Sequence, residues 1–232
     1  MFPALVRRLS AATPARCEVC RTWPSAPLCR ACESQFAPRR NRCVQCALAL
    51  PEGVSRCGRC VQSPPPLDAC HAVVSYRYPW ADLVADFKFS GQAGWADTWA
   101  RLLAAHAGVR HCVQSAHLVL PMPLSRERLA ARGFNQAWEL ARRIAPGKAD
   151  SRLLLRLRDT PPQAQLDRPA RQSNVRHAFA LEPSRAHEVR GRDVLLLDDV
   201  MTSGASLFAL AQVLRDAGAT RVSAAVLART ED

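Results

Sequence analysis

Aromatic residues are scarce in this 232-residue chain: Phe, Tyr and Trp together number 14. Base-stacking platforms for single-stranded nucleic acid draw on aromatic rings, so an interface of that kind has little to build on. No apolar run approaches the roughly 20 residues that span a bilayer, which argues against membrane insertion. Residues 1–16 are short, arginine-bearing and without an apolar core. A secretory leader is therefore not expected, and a cytoplasmic location is. No G-x-x-x-x-G-K-[ST] occurs, which excludes a Walker-type nucleotide loop. The six histidines (His71, His106, His111, His117, His177 and His187) show no metal-ligand spacing and suit packing or surface roles. No internal repeat is visible beyond paired cysteines.

Those cysteines are abundant. Of ten, eight fall into four C-x-x-C pairs: Cys17/Cys20, Cys29/Cys32, Cys43/Cys46 and Cys57/Cys60. One C-x-x-C turn brings two thiolates to a metal, and two turns complete a tetrahedral site. Four pairs thus predict two structural Zn²⁺ ions. A redox pair lacks thioredoxin-like surroundings, and a disulfide framework lacks a secretory context. Three pairings of the turns are open, and sequential sharing, which makes two ribbon-like lobes, is preferred. Cys70 and Cys112 stand apart and read as small buried hydrophobes.

Length allows one α/β domain and a small appended module. The sequence predicts a tail (1–16), a double zinc-ribbon module (17–62), a proline-rich linker (63–69) and an α/β domain (70–232). The formal charge is +12. Residues 1–60 hold ten basic and three acidic side chains, an excess that eight zinc-bound thiolates would largely offset. The remainder carries 22 basic and 17 acidic residues. Such a balance suits an anionic ligand and also permits nucleic acid.

Within the α/β domain, His71–Tyr78 and His117–Leu120 read as strands. Trp80, Leu83, Val84 and Phe87 mark one helical face, Trp95, Trp99, Leu102 and Leu103 a second. A long helix is expected from Glu127 to Ile144, and a last strand at Val222–Leu227. Alternating strands and helices argue for a parallel-rich central sheet.

The most informative stretch is Val194–Ser206, VLLLDDVMTSGAS. Its apolar run suits a strand buried on both faces. Asp198 and Asp199 are expected at the strand's C-terminal end, where open α/β sheets bind ligands. The turn Thr202-Ser203-Gly204-Ala205-Ser206 leads into a helix marked by Leu207, Leu210, Ala211 and Leu214. Backbone N–H groups, hydroxyls and a helix dipole would meet a phosphate there, while the carboxylates would accept hydrogen bonds from sugar hydroxyls. An ordinary strand end followed by a helix cap is the plain alternative. A receiver domain fits poorly, because its paired acids would come early rather than with one strand remaining.

Two further segments bear on chemistry. Pro121–Ser125, followed by Arg126, Arg128, Arg132 and Gly133-Phe134-Asn135-Gln136, is a second strand–loop–helix junction on the same sheet edge. It offers a second anion site, although each arginine alone also suits a solvated helix face. Arg158–Phe179 is polar, carries Pro161-Pro162 and reads as a lid or a plain surface loop.

Val194–Ser206 resembles the phosphoribosyl-pyrophosphate (PRPP) signature of type I phosphoribosyltransferases. That resemblance implies that Asp198 and Asp199 hold the ribose 2′ and 3′ hydroxyls and that Thr202, Ser203, Gly204, Ala205 and Ser206 cradle the 5′-phosphate. Ser203 and Ser206 stand where the family usually has threonine, which removes methyl groups and keeps hydroxyls. With the cysteine-paired N-terminus, Phe87-Lys88-Phe89-Ser90-Gly91, the Pro121–Gln136 block and the Arg158–Asn174 block, the chain resembles the ComF/GntX family over residues 17–229. This implies further site positions at Lys88, Pro123, Leu124, Ser125, Arg126, Arg132, Asn135, Gln136, Arg158, Thr160, Gln163 and Arg171, as pyrophosphate or lid candidates. It also implies Mg²⁺ bound with PRPP, and transfer of ribose 5-phosphate to an unidentified acceptor with pyrophosphate as leaving group. Family links to competence imply single-stranded DNA or competence proteins as partners. A non-catalytic nucleic-acid-handling protein and a PRPP-sensing regulator are the alternatives.

Overall fold

The computed structural model describes residues 15–89, 94–157 and 178–231. The described chain divides into two compact units, with the division after Pro38.

The first unit holds one cysteine quartet. Residues 17–20 form a turn, and helix α1 (Arg30–Phe36) starts at Cys29, whose sulfur accepts the Cys32 N–H. The second unit opens with the same plan: a turn at 43–46, then helix α2 (Gly58–Gln62) starting at Cys57.

The rest of the second unit is a parallel sheet covered by helices. In spatial order its strands are β1 (Ala69–Ser75), β6 (Arg221–Arg229), β5 (Asp193–Met201) and β2 (Leu118–Pro121), all parallel. The central pair reads as continuous apolar chain because both faces are covered. Val194 to Leu197 and Val222 to Ala228 are buried, with Ser223 the one polar side chain among them. Along the chain, β2 and β5 are separated by a small antiparallel pair that forms its own sheet, β3 (Leu154–Arg156) with β4 (Phe179–Leu181).

Alternation along β5 assigns its side chains to two faces. Val194 and Leu196 join one cluster with Leu207, Leu210, Ala211 and Leu214 of helix α8 (Ala205–Asp216). Leu195 and Leu197 point to the other face, which also takes Asp199. Helix α3 (Trp80–Phe89) buries Trp80, Leu83, Val84 and Phe87. Helix α4 (Trp95–Ala105) buries Trp95, Trp99, Leu102 and Leu103. The indole of Trp99 stacks on Trp95 at 4.9 Å and meets Trp80 edge-on at 6.0 Å. Both predicted helical faces are therefore core.

Three elements differ from the sequence expectation. The helix expected from Glu127 to Ile144 is two helices, α6 (Arg126–Arg132) and α7 (Gln136–Ile144). Gly133 ends the first with φ of 76°, a left-handed conformation that glycine adopts without steric cost. The Asn135 side chain then caps the second by accepting the Trp138 N–H. Strand β5 carries the acids near its C-terminal end, as expected, but runs two residues past them, to Met201↔Arg229 in its pairing with β6. Helix α5 (Ala107–Ser115) is unforeseen by the sequence pattern. Gly108 lets it approach β1, because a Cβ there would stand 2.5 Å from the His71 ring.

Candidate functional site

Strand β5 delivers Asp198 and Asp199 to the carboxyl end of the sheet on opposite faces. Asp199 is buried and pairs with Lys88 Nζ at 3.1 Å. The lysine comes from the last turn of α3, where it also suits the helix dipole. Half-buried Asp198 accepts the Asp199 backbone N–H through Oδ1 at 2.8 Å. Burial and the neighbouring Asp199 charge push the Asp198 carboxyl up to about 7, with Lys88 opposing.

That pKa has a consequence for stability. Unfolded, the Asp198 carboxyl titrates near 4, so the folded value is raised. Its stabilising contribution is present in full below pH about 4 and fades as pH climbs through 7. Asp198→Asn should therefore melt close to the wild type at pH 4 and several degrees above it at pH 8, with the gain growing between the two. Paired thermal melts of the ligand-free proteins check this, and a difference independent of pH would contradict it.

The turn after Met201 exposes Thr202 and Ser203 to solvent. Gly204 follows as the cap of α8 with φ of 81°. A Cβ there would collide with the Met201 methyl and the Phe208 ring. Glycine is required both for the backbone and for the space. No side chain caps α8 and its first turn carries no acid, so its leading N–H groups face the turn uncontested except for Ser203 Oγ, 3.4 Å from Ala205 N. The turn thus offers N–H groups and hydroxyls of the kind an anion accepts from, beside two carboxylates. Gly204→Ala should cost about 1–3 kcal/mol, and a drop in melting temperature together with weaker phosphate binding would be the expected readout.

The second junction supports this one. Ser125 is buried and caps α6 by accepting the Arg128 N–H. Pro123 and Leu124 are half-buried, and Arg126 is exposed at the start of α6. Asn135 donates to the Met122 carbonyl at 3.0 Å. Buried Gln136 donates to the Lys88 carbonyl at 3.4 Å and accepts from Arg132 at 3.2 Å. Phe134 packs on Phe87. The Arg132–Gln136 block therefore braces the loop and the end of α3, which carries Lys88. Arg158, Thr160, Gln163 and Arg171 lie outside the described residues.

The cysteines assemble as sequential sharing expects. Cys17, Cys20, Cys29 and Cys32 form one group and Cys43, Cys46, Cys57 and Cys60 the other, with sulfurs within 4.8 Å of one another. All ten cysteines are thiols, so there is no disulfide framework. A tetrahedral zinc site with bonds of about 2.3 Å has sulfur–sulfur edges of about 3.8 Å. The observed Cys20–Cys29 and Cys46–Cys57 separations are 3.7 and 3.6 Å. Each group also has a backbone N–H on a sulfur, from Cys29 to Cys17 and from Cys57 to Cys43, both at 3.4 Å. Burial alone would raise Cys43, but N–H groups of Cys57, Gln45 and Cys46 bring it down to about 7. A hydrogen bond with Thr22 brings Cys20 down to about 6. Burial in turn raises Cys32, Cys46 and Cys60 in the same quartets, so the fit of both quartets to a four-sulfur metal site rests on their spacing.

One buried charge escapes the sequence reading. Arg229 ends β6 at 2 % exposure. The signal was available: a cation closing the apolar run Val226-Leu227-Ala228, much as Asp198 closes the run on β5.

The phosphoribosyl transferase domain family matches residues 129–232. The DNA utilization protein YhgH of Escherichia coli (strain K12) is 33 % identical over 229 residues, covering 94 % of this chain and 98 % of that protein. Competence protein F of Haemophilus influenzae is 31 % identical over 211 residues, covering 87 % and 90 %. Among solved structures, the allosteric regulatory enzyme of purine biosynthesis aligns with 60 % of this chain and 25 % of its own, at 20 % identity and a TM-score of 0.36.

Proposed function

This chain belongs to the ComF/GntX family of phosphoribosyltransferase-like proteins, and on that premise we propose that it binds PRPP with Mg²⁺ and transfers ribose 5-phosphate to an acceptor. One observation carries the reading. A central strand ends in two carboxylates and continues into a glycine-capped hydroxyl turn at the start of α8. In this reading Asp198 and Asp199 accept hydrogen bonds from the ribose hydroxyls. Thr202, Ser203 and Ser206 hydroxyls and the first N–H groups of α8 hold the 5′-phosphate. Lys88, the Pro123–Ser125 loop, Arg126 and Arg132 face the pyrophosphate, with Arg158, Thr160, Gln163 and Arg171 as lid residues.

The acids and phosphate oxygens are the hard donors that Mg²⁺ prefers, and bound Mg²⁺ would neutralise charge on the pyrophosphate. In the transfer, the bond from C1′ to the pyrophosphate oxygen breaks as the acceptor's lone pair attacks C1′. The acceptor proton leaves to solvent or to the departing phosphate. Basic side chains stabilise the leaving charge, and a closed lid would exclude competing water. The region 17–62 is read as two structural zinc sites. A cytoplasmic setting would keep their thiolates reduced.

A second reading has its own support, since the full-length relatives are named for DNA utilization and competence. There the basic surface would handle single-stranded DNA, with or without PRPP turnover. Calorimetric titration of the zinc-replete protein with PRPP and Mg²⁺ tests the first reading. Saturable binding, followed by pyrophosphate release with an acceptor base, is expected. No binding would overturn it and make single-stranded DNA the ligand to pursue.

A further inference from the structure

Arg229 is a buried cation whose hydrogen-bond partners among the described residues are all neutral oxygens. Its Nε donates to the Cys46 carbonyl at 3.0 Å. Its Nη1 donates to the Met201 carbonyl at 3.4 Å and to the Thr230 carbonyl and hydroxyl. The nearby acid on the same strand end, Glu231, is already engaged: it pairs with Arg42 and accepts from Ser75 and the Ala49 N–H. A guanidinium out of water needs a compensating negative charge. The Cys43–Cys46–Cys57–Cys60 quartet supplies one, because four thiolates on a divalent metal carry a net charge of about −2. Arg229 reaches that quartet through the backbone of one of its members.

The other half of the contact points to the ligand edge. Met201 is the last residue of β5, and its carbonyl also accepts the Thr230 N–H at 3.1 Å. Thr202, the next residue, begins the hydroxyl turn. The Met201 side chain bears on Gly204 from below, since a Cβ on that glycine would meet it. One arginine thus holds both a metal-ligand residue and the hinge of the phosphate turn.

We propose that Arg229 is the counter-ion of a metal-loaded second quartet and a positioning residue for the phosphate turn, so that metal at Cys43–Cys60 sets the order of Thr202–Ser206. The proposal rests on the phosphoribosyl reading for what the turn binds. Its tests do not, because metal retention and amide exchange are read without PRPP.

The experiment compares wild type, Arg229→Lys and Arg229→Gln, each reconstituted with two zinc equivalents. Zinc release to a chromogenic chelator should be unchanged for one ion in all three proteins. The other ion should be held at least tenfold more weakly in Arg229→Gln and within about threefold of wild type in Arg229→Lys, which keeps the charge. Hydrogen exchange at the Phe208 N–H, which donates to the Gly204 carbonyl of the turn, should accelerate at least tenfold in Arg229→Gln and leave β2 and α7 unchanged. Equal retention of both ions by Arg229→Gln, or unaltered exchange in the turn, would overturn the proposal. If Arg229→Gln does not fold, stepwise chelation of the wild type decides. Exchange in the turn must rise ahead of exchange in β2 and α7 as the second quartet loses its metal, and a turn that is indifferent to that loss, or that opens only with the whole unit, sinks the idea. PRPP titration of the wild type, run beside these, separates failure of the coupling from failure of the binding reading.

Discussion

PRPP should no longer bind measurably once Asp198→Asn and Asp199→Asn are combined. Hydrogen bonds to a charged carboxylate contribute about 1.5–3 kcal/mol each. Losing two therefore predicts a fall in affinity of about 10² to 10⁴, before any loss of Mg²⁺ attraction is counted. The fold should survive. Asp198 is held near 7 by burial and by Asp199, so neutralising the pair removes repulsion, and Lys88, about 17 % exposed, can turn to water. Titration calorimetry and a melting curve on the same sample read both effects. An affinity within tenfold of wild type would refute the placement of ribose at these acids. A collapsed melt would refute the claim that they are functional rather than structural. DNA binding through basic patches should be indifferent to the change, which separates the two functional readings.

The two cysteine quartets should respond very differently to loss. Cys43, Cys46, Cys57 and Cys60 are 0–7 % exposed and share a core cluster with Leu67, Cys70 and Met201. The chain from this quartet continues directly into the sheet: Cys70 N–H donates to the Val44 carbonyl, and Asp68 N–H to that of Val222. A four-thiolate zinc site contributes about 10–16 kcal/mol to the folding of small domains, comparable with the whole stability of a typical domain. Cys43→Ser with Cys46→Ser should consequently abolish the cooperative melt and the near-ultraviolet signal of the Trp80–Trp95–Trp99 cluster. Cys17→Ser with Cys20→Ser lies in the other compact unit. It should remove one zinc equivalent and leave the melt of the α/β unit within about 2 °C. Zinc stoichiometry, near-ultraviolet dichroism and scanning calorimetry on the two variants give the comparison. Equal damage by both would show that the quartets are not independent in the way their packing indicates.

Much of this was legible in local pattern. The buried runs of β5 and β6, the faces of α3, α4 and α8, and the acid pair before a hydroxyl turn all lie within a dozen residues each. Period and composition carry such information without help from distant contacts. The four C-x-x-C turns named the members of the two four-sulfur groups for the same reason. Other features depended on partners far along the chain. How far β5 runs past the acids was decided by β6, which pairs with it as far as Met201. The break at Gly133 could be read either as tolerated helix glycine or as a stop, and the Asn135–Met122 bond selects the stop.

Residue type and spacing, then, determined which side chains could meet phosphate, sugar and metal, because those chemistries are set by functional groups and short-range turn geometry. Tertiary structure decided what those groups touch. It showed Asn135 and Gln136 bracing a loop, Lys88 paired with Asp199, and the second quartet built into the core through Arg229, 183 residues from Cys46 in sequence. Contacts of that range arise only when the sheet brings strand ends together, and no local pattern encodes them.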